Sequence, residues 1–421
     1  MRRALSFNMG NLLLSFSDAM NLGSPALVRQ QQRTAYIAWQ IGKTVGLSAN
    51  RLKNIFTAAL LHDIGAFSDE EKLKLRNLNT NDLELHCIRG ARLLEKVPCL
   101  LDAAKIVRVQ HRKWTEWNQP IDAELVLEAQ VLGLSDYIEH KIQRDQYILH
   151  QDRCLINEIV SLKGKSFHPQ VVESFMSVAG IEEFWLDLVS PRLYALLLHD
   201  GPYGRFEVDL AGMSALAQLC RSVIDFRSPF TVTHSTGVAA CAQILSKIFG
   251  LTETEVKLME IAGSFHDLGK LAVPNSILDK PDVLTKEEFA LVKAHTYYTF
   301  SILGTIDGFQ QIAEWAAYHH ERLSGSGYPY HCTDSELSTG SRIMMVADVF
   351  TALAEDRPYR KGMVKDDILR IMNGFASSRI LDPGIIKTLI ENYDEVCSYA
   401  MERQTDALES YKQHVSSPKS V

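Results

Sequence analysis

The stretch SFHDLGK at 264–270 has a counterpart, LLHDIGA, at 60–66. Each sets a His-Asp pair at the end of an apolar run and places a glycine two residues later. With His62 laid on His266, Ser24-Pro25 falls on Ser228-Pro229 and Gly46-Leu47 on Gly250-Leu251 without a gap. After a short gap, His86 meets His295 and Gln110-His111 meets His319-His320. A second gap brings Leu134-Ser135-Asp136 onto Val346-Ala347-Asp348. A third brings His168-Pro169 with Val171-Val172 onto Asp382-Pro383 with Ile385-Ile386. One such match arises easily by chance, but a whole series in the same order indicates two copies of one unit. The sequence therefore predicts two tandem domains, at 1–190 and 205–405, with a linker at 191–204 and a polar tail at 406–421. The join is read near HDGPYGR (199–205), whose glycines and proline break helix.

The periodicity around these motifs is helical. Apolar residues recur at three- and four-residue intervals in Leu47–Leu61, Val256–Leu268, Phe289–Leu303 and Ile343–Leu353. Thr252 with Glu255 and Thr285 with Glu288 carry the capping-box signature ahead of apolar runs. Asp382-Pro383 sets an acceptor side chain before a proline at the first helical position. Alternating, strand-like runs are scarce, and the expected fold class is all-α, with two helical domains in tandem.

Composition narrows the function. The 421 residues, 46% of them hydrophobic, suffice for two or three domains with cores of their own. With 44 basic and 51 acidic residues the net charge is −7, which argues against a polymeric nucleic acid as partner. A small anionic substrate held by a few local cations is compatible with that balance. The seven cysteines are dispersed with no CxxC spacing, which reads as reduced thiols in a cytoplasmic protein. The segment MRRALSFNMGNLLLSF lacks the features of a cleaved leader. No run approaches the ~18 apolar residues that cross a bilayer, so no membrane association is expected.

The second copy concentrates candidate ligands: His234, His266-Asp267, His295, His319-His320 and Asp348. Neutral imidazoles and carboxylates bind Zn, Mn or Fe, and a mixed set suits a two-metal hydrolase. His266 and Lys270 are four apart, so on a helix they share one face and leave Asp267 free to bridge two ions. His140, His150, His199 and His331 stand outside any such pattern and read as ordinary core or surface residues. Trp114 and Trp117, beside Arg112 and Lys113, read as domain-packing residues rather than base-stacking ones.

Taken together, His234, HDLGK (266–270), His295, HHERLSGSGYP (319–329) and VADVFTALAEDRPYR (346–360) resemble an HD-GYP domain over roughly 205–400. This is the cyclic-dinucleotide phosphodiesterase branch of the HD superfamily, and its GYP element is Gly327-Tyr328-Pro329 here. The tandem layout is similar to members that cleave 3′,3′-cyclic GMP-AMP. The resemblance implies two divalent transition-metal ions, iron or manganese, with His266, His295, His319 and His320 as terminal ligands. His234 and Asp348 would complete the two shells and Asp267 would bridge them. Asp267 and Lys270 would be catalytic, and Lys270, Tyr328, Arg357 and Arg360 would bind substrate. The implied reaction hydrolyses cyclic di-GMP or 3′,3′-cGAMP to a linear dinucleotide, with a metal-bridging hydroxide as nucleophile.

Two departures from the family pattern stand out. Phe230 occupies the position at which some members carry a glutamate for a third metal, so a binuclear site is expected. Ser324 replaces the usual aspartate of the GYP loop. The first copy keeps His62, Asp63, His86, His111 and Asp136 but has Gln30, Gln110 and Ala66 where the second has His234, His319 and Lys270. HRKWTEWNQP (111–120) stands in place of the GYP loop. That copy is expected to be a degenerate scaffold that supports, gates or dimerises the other. A signalling partner docked at the GYP loop and a homodimer are further expectations. Two other readings compete: a non-catalytic cyclic-dinucleotide sensor or docking protein, and a general HD phosphohydrolase of dNTP or ppGpp-like substrates. The GYP and RPYR elements argue against the latter.

Overall fold

Helices begin where the sequence supplies an acceptor for the free N–H groups of a first turn. Thr252 and Thr285 each accept from the backbone of the glutamate three residues on, and each glutamate reaches back, which completes both capping boxes. Asp382 accepts from Gly384 and Ile385 N–H ahead of Pro383–Glu391. Helix ends are equally matched between the two halves. Gly46 follows Gln30–Thr44 and Gly250 follows His234–Phe249, both at left-handed φ (80° and 97°). Only glycine adopts this conformation without penalty.

The computed structural model describes residues 6–24, 27–75, 83–204, 206–227, 232–355 and 361–415. Pro25, Ser228, Pro229, Phe230, Arg357 and Arg360, all used in the sequence reading, lie outside them. Among the described residues the chain is helical apart from one pair of three-residue strands, Ser6–Asn8 and Glu207–Asp209. It is an all-α protein. It divides into two compact units, one from Asn8 to Glu207 and one from Val208 onward together with the residues up to Phe7.

In the N-terminal unit, Gln30–Thr44 packs on Ala49–Leu61 and Val126–Lys141. Its aromatic core joins Trp185, fully buried, to Phe184 at 5.0 Å, and Phe184 stacks on Tyr36 at 5.6 Å. Trp114 meets His168 edge-on at 4.4 Å and Trp117 lies under Arg112, so the contacts of both tryptophans lie inside their own unit. The turn at 114–116 folds back onto Lys165 and Ser166 and carries the rings with it. In the C-terminal unit, His234–Phe249 is central and packs on Glu253–Phe265, Thr339–Ala354 and Tyr393–Val415. Phe7 closes this core edge-on against Phe309 at 5.2 Å.

The helix expected to run through Leu268 stops at Phe265. His266 is its C-cap, Asp267 has φ −96° and ψ 11°, and Leu268–Ala272 forms a 3₁₀ turn. His266 and Lys270 therefore do not share a helical face. The cause is a close approach: a Cβ on Gly269 would lie 1.8 Å from the carbonyl oxygen of His295. The first copy repeats the contact, with a Cβ on Gly65 falling 2.1 Å from His86 O. The glycine of the His-Asp-X-Gly pattern thus lets the turn touch the next histidine's backbone.

These glycines separate two costs. Nothing lies within 4 Å of a Cβ at Gly250, so Gly250→Ala should cost only the left-handed strain, about 1 kcal/mol. Gly269→Ala must displace backbone and should cost about 3 kcal/mol. Denaturant midpoints of the two variants should differ accordingly, and equal values would refute the account of the turn.

Candidate metal centre

Five segments of the C-terminal unit bring their polar side chains to one buried point. His234 opens the helix His234–Phe249, and His266 and Asp267 leave the end of Glu253–Phe265. His295 lies within Lys286–Leu303, His319 and His320 in the turn Tyr318–His320, and Asp348 within Thr339–Ala354. Asp267 divides its oxygens: Oδ1 faces His295 Nε2 at 3.5 Å and His319 Nε2 at 4.0 Å, while Oδ2 faces His266 Nε2 at 3.2 Å. Asp348 does likewise, with Oδ1 3.2 Å from His234 Nε2 and Oδ2 3.7 Å from His320 Nδ1. Three overlapping ligand triads result: His234/His266/Asp348, His266/Asp267/His319 and His295/His319/His320. All seven sequence-expected ligands are therefore adjacent, and only the His320 side chain, 32% exposed, reaches the surface.

Backbone carbonyls aim the rings. Nδ1 of His266, His295 and His319 each donates to the carbonyl three residues earlier, on Gly263, Val292 and Ala316, at 2.9, 2.5 and 2.7 Å. That fixes the tautomer and turns each Nε2 inward as a lone pair. His266 Nε2 is buried without a hydrogen-bond partner, as a ligand atom would be. Burial, together with neighbouring imidazoles, holds His319 well below the usual range, and burial pushes His295 down to about 3. Burial also disfavours charge on His234, yet Glu355 and Asp348 raise it to about 10. Asp267 is held well below the carboxylate range because, against the cost of burial, it is surrounded by His266 and Lys270. The proton-poor His295 and His319 beside ionised carboxylates are donors that fit divalent transition metals.

The remaining expected residues are partly placed. Lys270, 22% exposed, has its ammonium 2.6 Å from Asp267 Oδ2. Tyr328 donates its N–H to His320 O at 3.2 Å and sets its ring 5.0 Å from that imidazole. Three contributors went unread in the sequence. Glu355 accepts from His234 Nδ1 at 2.9 Å. The Thr299 hydroxyl accepts from Gly269 N–H and donates to His266 O, which pins the turn. Glu321 accepts from Tyr330 and Cys332 N–H and ties down the GYP loop. The available signal for Glu355 was its place seven residues after Asp348, two turns along the same helical face.

The first copy gathers its own buried polar cluster. His62 Nε2 lies 3.2 Å from Asp63 and 3.1 Å from Asp136, and although burial opposes charge, those carboxylates raise it well above the ordinary histidine value. Gln30 donates to Asp63 Oδ2 at 3.2 Å and lies 3.1 Å from His140 Nε2. His140, read above as an ordinary residue, is therefore part of the cluster: its Nδ1 is 3.6 Å from Asp136, one helical turn earlier.

Helical units that enclose a His/Asp centre of this kind define a class of metal-dependent phosphohydrolases. An HD domain family model matches residues 15–156 and 218–385, and the chain belongs to that family. It is 30% identical over 377 residues to the 3′3′-cGAMP-specific phosphodiesterase 1 of Vibrio cholerae, across 87% of each chain. It is 25% identical over 428 residues to phosphodiesterase 3 of the same name and organism, across 87% of this chain and 91% of that one. The crystal structure of the cyclic GMP-AMP-specific phosphodiesterase V-cGAP3 of V. cholerae superposes with a TM-score of 0.64. That match is at 23% identity, over 93% of this chain and 98% of that chain, and shows the shared fold.

Carboxylates that orient ligating histidines typically carry a 10–100-fold share of metal affinity. Glu355→Ala should therefore weaken Mn(II) binding by about that factor in calorimetric titration of metal-free protein. Unchanged affinity would mean that His234 is oriented by something else.

Proposed function

We propose that the C-terminal unit hydrolyses a 3′,3′-cyclic dinucleotide to its linear dinucleotide, with cyclic GMP-AMP as the favoured substrate. The observation that carries this reading is the division of Asp267, whose two oxygens face different imidazoles as a carboxylate shared by two cations requires. The substrate class comes from the relatives that match both halves of the chain, whose names specify 3′3′-cGAMP. No helix among the described residues is long and apolar enough to cross a membrane. A cytoplasmic location accords with seven free cysteines.

Two divalent ions, iron or manganese, fit the seven-residue set. Bound there they supply Lewis acidity toward a phosphate oxygen and an acidified water. The chain does the rest. His266, His295 and His319 present lone pairs without reorganisation because their Nδ1 protons are already committed to carbonyls. Lys270 stands at the rim, where its ammonium can turn from Asp267 to the phosphoryl oxygens and offset the charge that grows on them. Tyr328, beside His320, forms a wall for a base. Arg357 and Arg360 are assigned to the phosphates from the sequence pattern. The N-terminal unit, with Gln30 and Gln110 in place of ligands, serves as a scaffold.

Protein loaded with Mn(II) or Fe(II) should convert 3′,3′-cGAMP, and more slowly cyclic di-GMP, to linear dinucleotides resolved by chromatography. His266→Ala and Asp267→Asn should each lower turnover on the order of 10³-fold or more. Full turnover in either variant would remove the site assignment. Tight binding of both dinucleotides without turnover by metal-loaded protein would favour the sensor reading.

A further inference from the structure

The first copy contains a donor group that the second lacks. His86 Nε2 and His111 Nε2 are 3.2 Å apart, Cys87 Sγ is 3.6 Å from His86 Nε2, and the three atoms lie within 4.8 Å of one another. Zinc binds imidazole nitrogen at about 2.0–2.1 Å and thiolate sulfur at about 2.3 Å, so a tetrahedral ion holds two nitrogens roughly 3.3 Å apart and nitrogen and sulfur roughly 3.6 Å apart. The observed spacings coincide with these. His86 and Cys87 are buried. His111 lines a cavity of about 240 Å³ with Gln110, Lys113 and Asp136, which gives an ion a way in.

We propose that the N-terminal unit binds one thiophilic transition-metal ion, zinc above all, through His86 Nε2, Cys87 Sγ and His111 Nε2. His86-Cys87 aligns with His295-Thr296, and the Thr296 hydroxyl donates to Lys293 O at 3.0 Å, away from any ligand role. A thiolate selects zinc over the harder manganese, so the two units would differ in metal preference as well as ligand number. Gln110, at the place of His319, sits at the fourth position of this set: its amide nitrogen donates to Cys87 Sγ at 3.4 Å and lies 3.1 Å from His86 Nε2, and a half-turn of the amide presents its carbonyl oxygen to an ion instead. A second ion is not expected, because Asp63 and Asp136 are already paired with His62, and Asp63 with Gln30 as well. On binding, the Cys87 S–H, which donates to Leu83 O at 3.1 Å, gives its proton to solvent and the sulfur bonds the metal.

Cobalt(II) reports this site selectively, since none of the seven candidate ligands of the C-terminal centre is a thiol. Titration of the metal-free full-length protein with Co(II) should raise a near-ultraviolet thiolate-to-cobalt charge-transfer band whose final amplitude corresponds to one thiolate-bound ion per chain. The band should persist in the His266→Ala/Asp267→Ala protein and disappear in Cys87→Ser and in His111→Ala. Cys87→Thr, which installs the residue used by the second copy, gives an alternative that retains the fold, checked by circular dichroism. Wild-type zinc content should exceed that of Cys87→Thr by one ion per chain. No band in folded wild-type protein, or a band that survives both Cys87 substitutions, would overturn the proposal. Because the readout is spectroscopic and independent of turnover, failure here is distinguishable from failure of the phosphodiesterase reading.

Discussion

The C-terminal unit is organised around the burial of one ionised carboxylate. Asp267 is 2% exposed, and a lone charge at that depth would cost many kcal/mol. The Lys270 ammonium, 2.6 Å from Oδ2, offsets part of that charge, and three imidazoles from three separate segments close around the carboxylate. That convergence dictates the surrounding structure. The helix Glu253–Phe265 has to stop one residue before His266, the turn after it has to tighten, and Lys286–Leu303 has to press its backbone against that turn. Gly269 permits the contact and Thr299 fastens it from both sides.

Both copies solve this problem, and they solve it differently. In the second, His266, His295 and His319 donate their Nδ1 protons to carbonyls, which leaves Nε2 lone pairs facing the carboxylates. In the first, an amide from Gln30 and a proton on His62 satisfy Asp63 directly, and His140 braces the amide. Positive charge thus comes from within the protein around Asp63 and Asp136. Around Asp267 and Asp348 the protein supplies the Lys270 ammonium and a His234 raised to about 10, and the inward lone pairs of His266, His295 and His319 remain as donors for a cation. Glutamine at 30 and at 110, alanine at 66 and histidine at 140 accompany this change on an otherwise shared scaffold.

Much of this was legible in the sequence, because repeats, caps and ligand order are local or pairwise patterns. The helical class and the capping boxes at Thr252 and Thr285 follow from residue spacing, and the grouping of the seven candidate ligands from the resemblance to the HD-GYP pattern. What escaped depended on three-dimensional approach. Nothing in SFHDLGK reveals that Gly269 meets His295 O, so the periodicity places the helix three residues late, at Val256–Leu268, whereas it occupies Glu253–Phe265. His140 looked isolated because its aligned partner is Ala352, although its place one turn after Asp136 was the available signal. Glu355 and Glu321 belong to no ligand pattern in the sequence, and both are buried because each serves a specific donor.

Glu321 also accounts for the tolerance of Ser324, where relatives of this pattern carry an aspartate. The loop from Glu321 to Cys332 is suspended on the Glu321 carboxylate, which takes one N–H with each oxygen, from Tyr330 and from Cys332. Gly327 lies so close beneath that a Cβ would sit 2.4 Å from Glu321 Cα, and Tyr328 N–H reaches His320 O. These contacts set the Tyr328 ring beside a candidate ligand without help from position 324. Ser324 spends its hydroxyl on Ser326 at 2.9 Å and its backbone on a bridge to Thr333, on the exposed side of the loop. A carboxylate there would add negative charge at the surface rather than brace the site. The substitution therefore alters what the loop shows to solvent and leaves intact the link between loop and metal centre, which runs through Glu321 and His320.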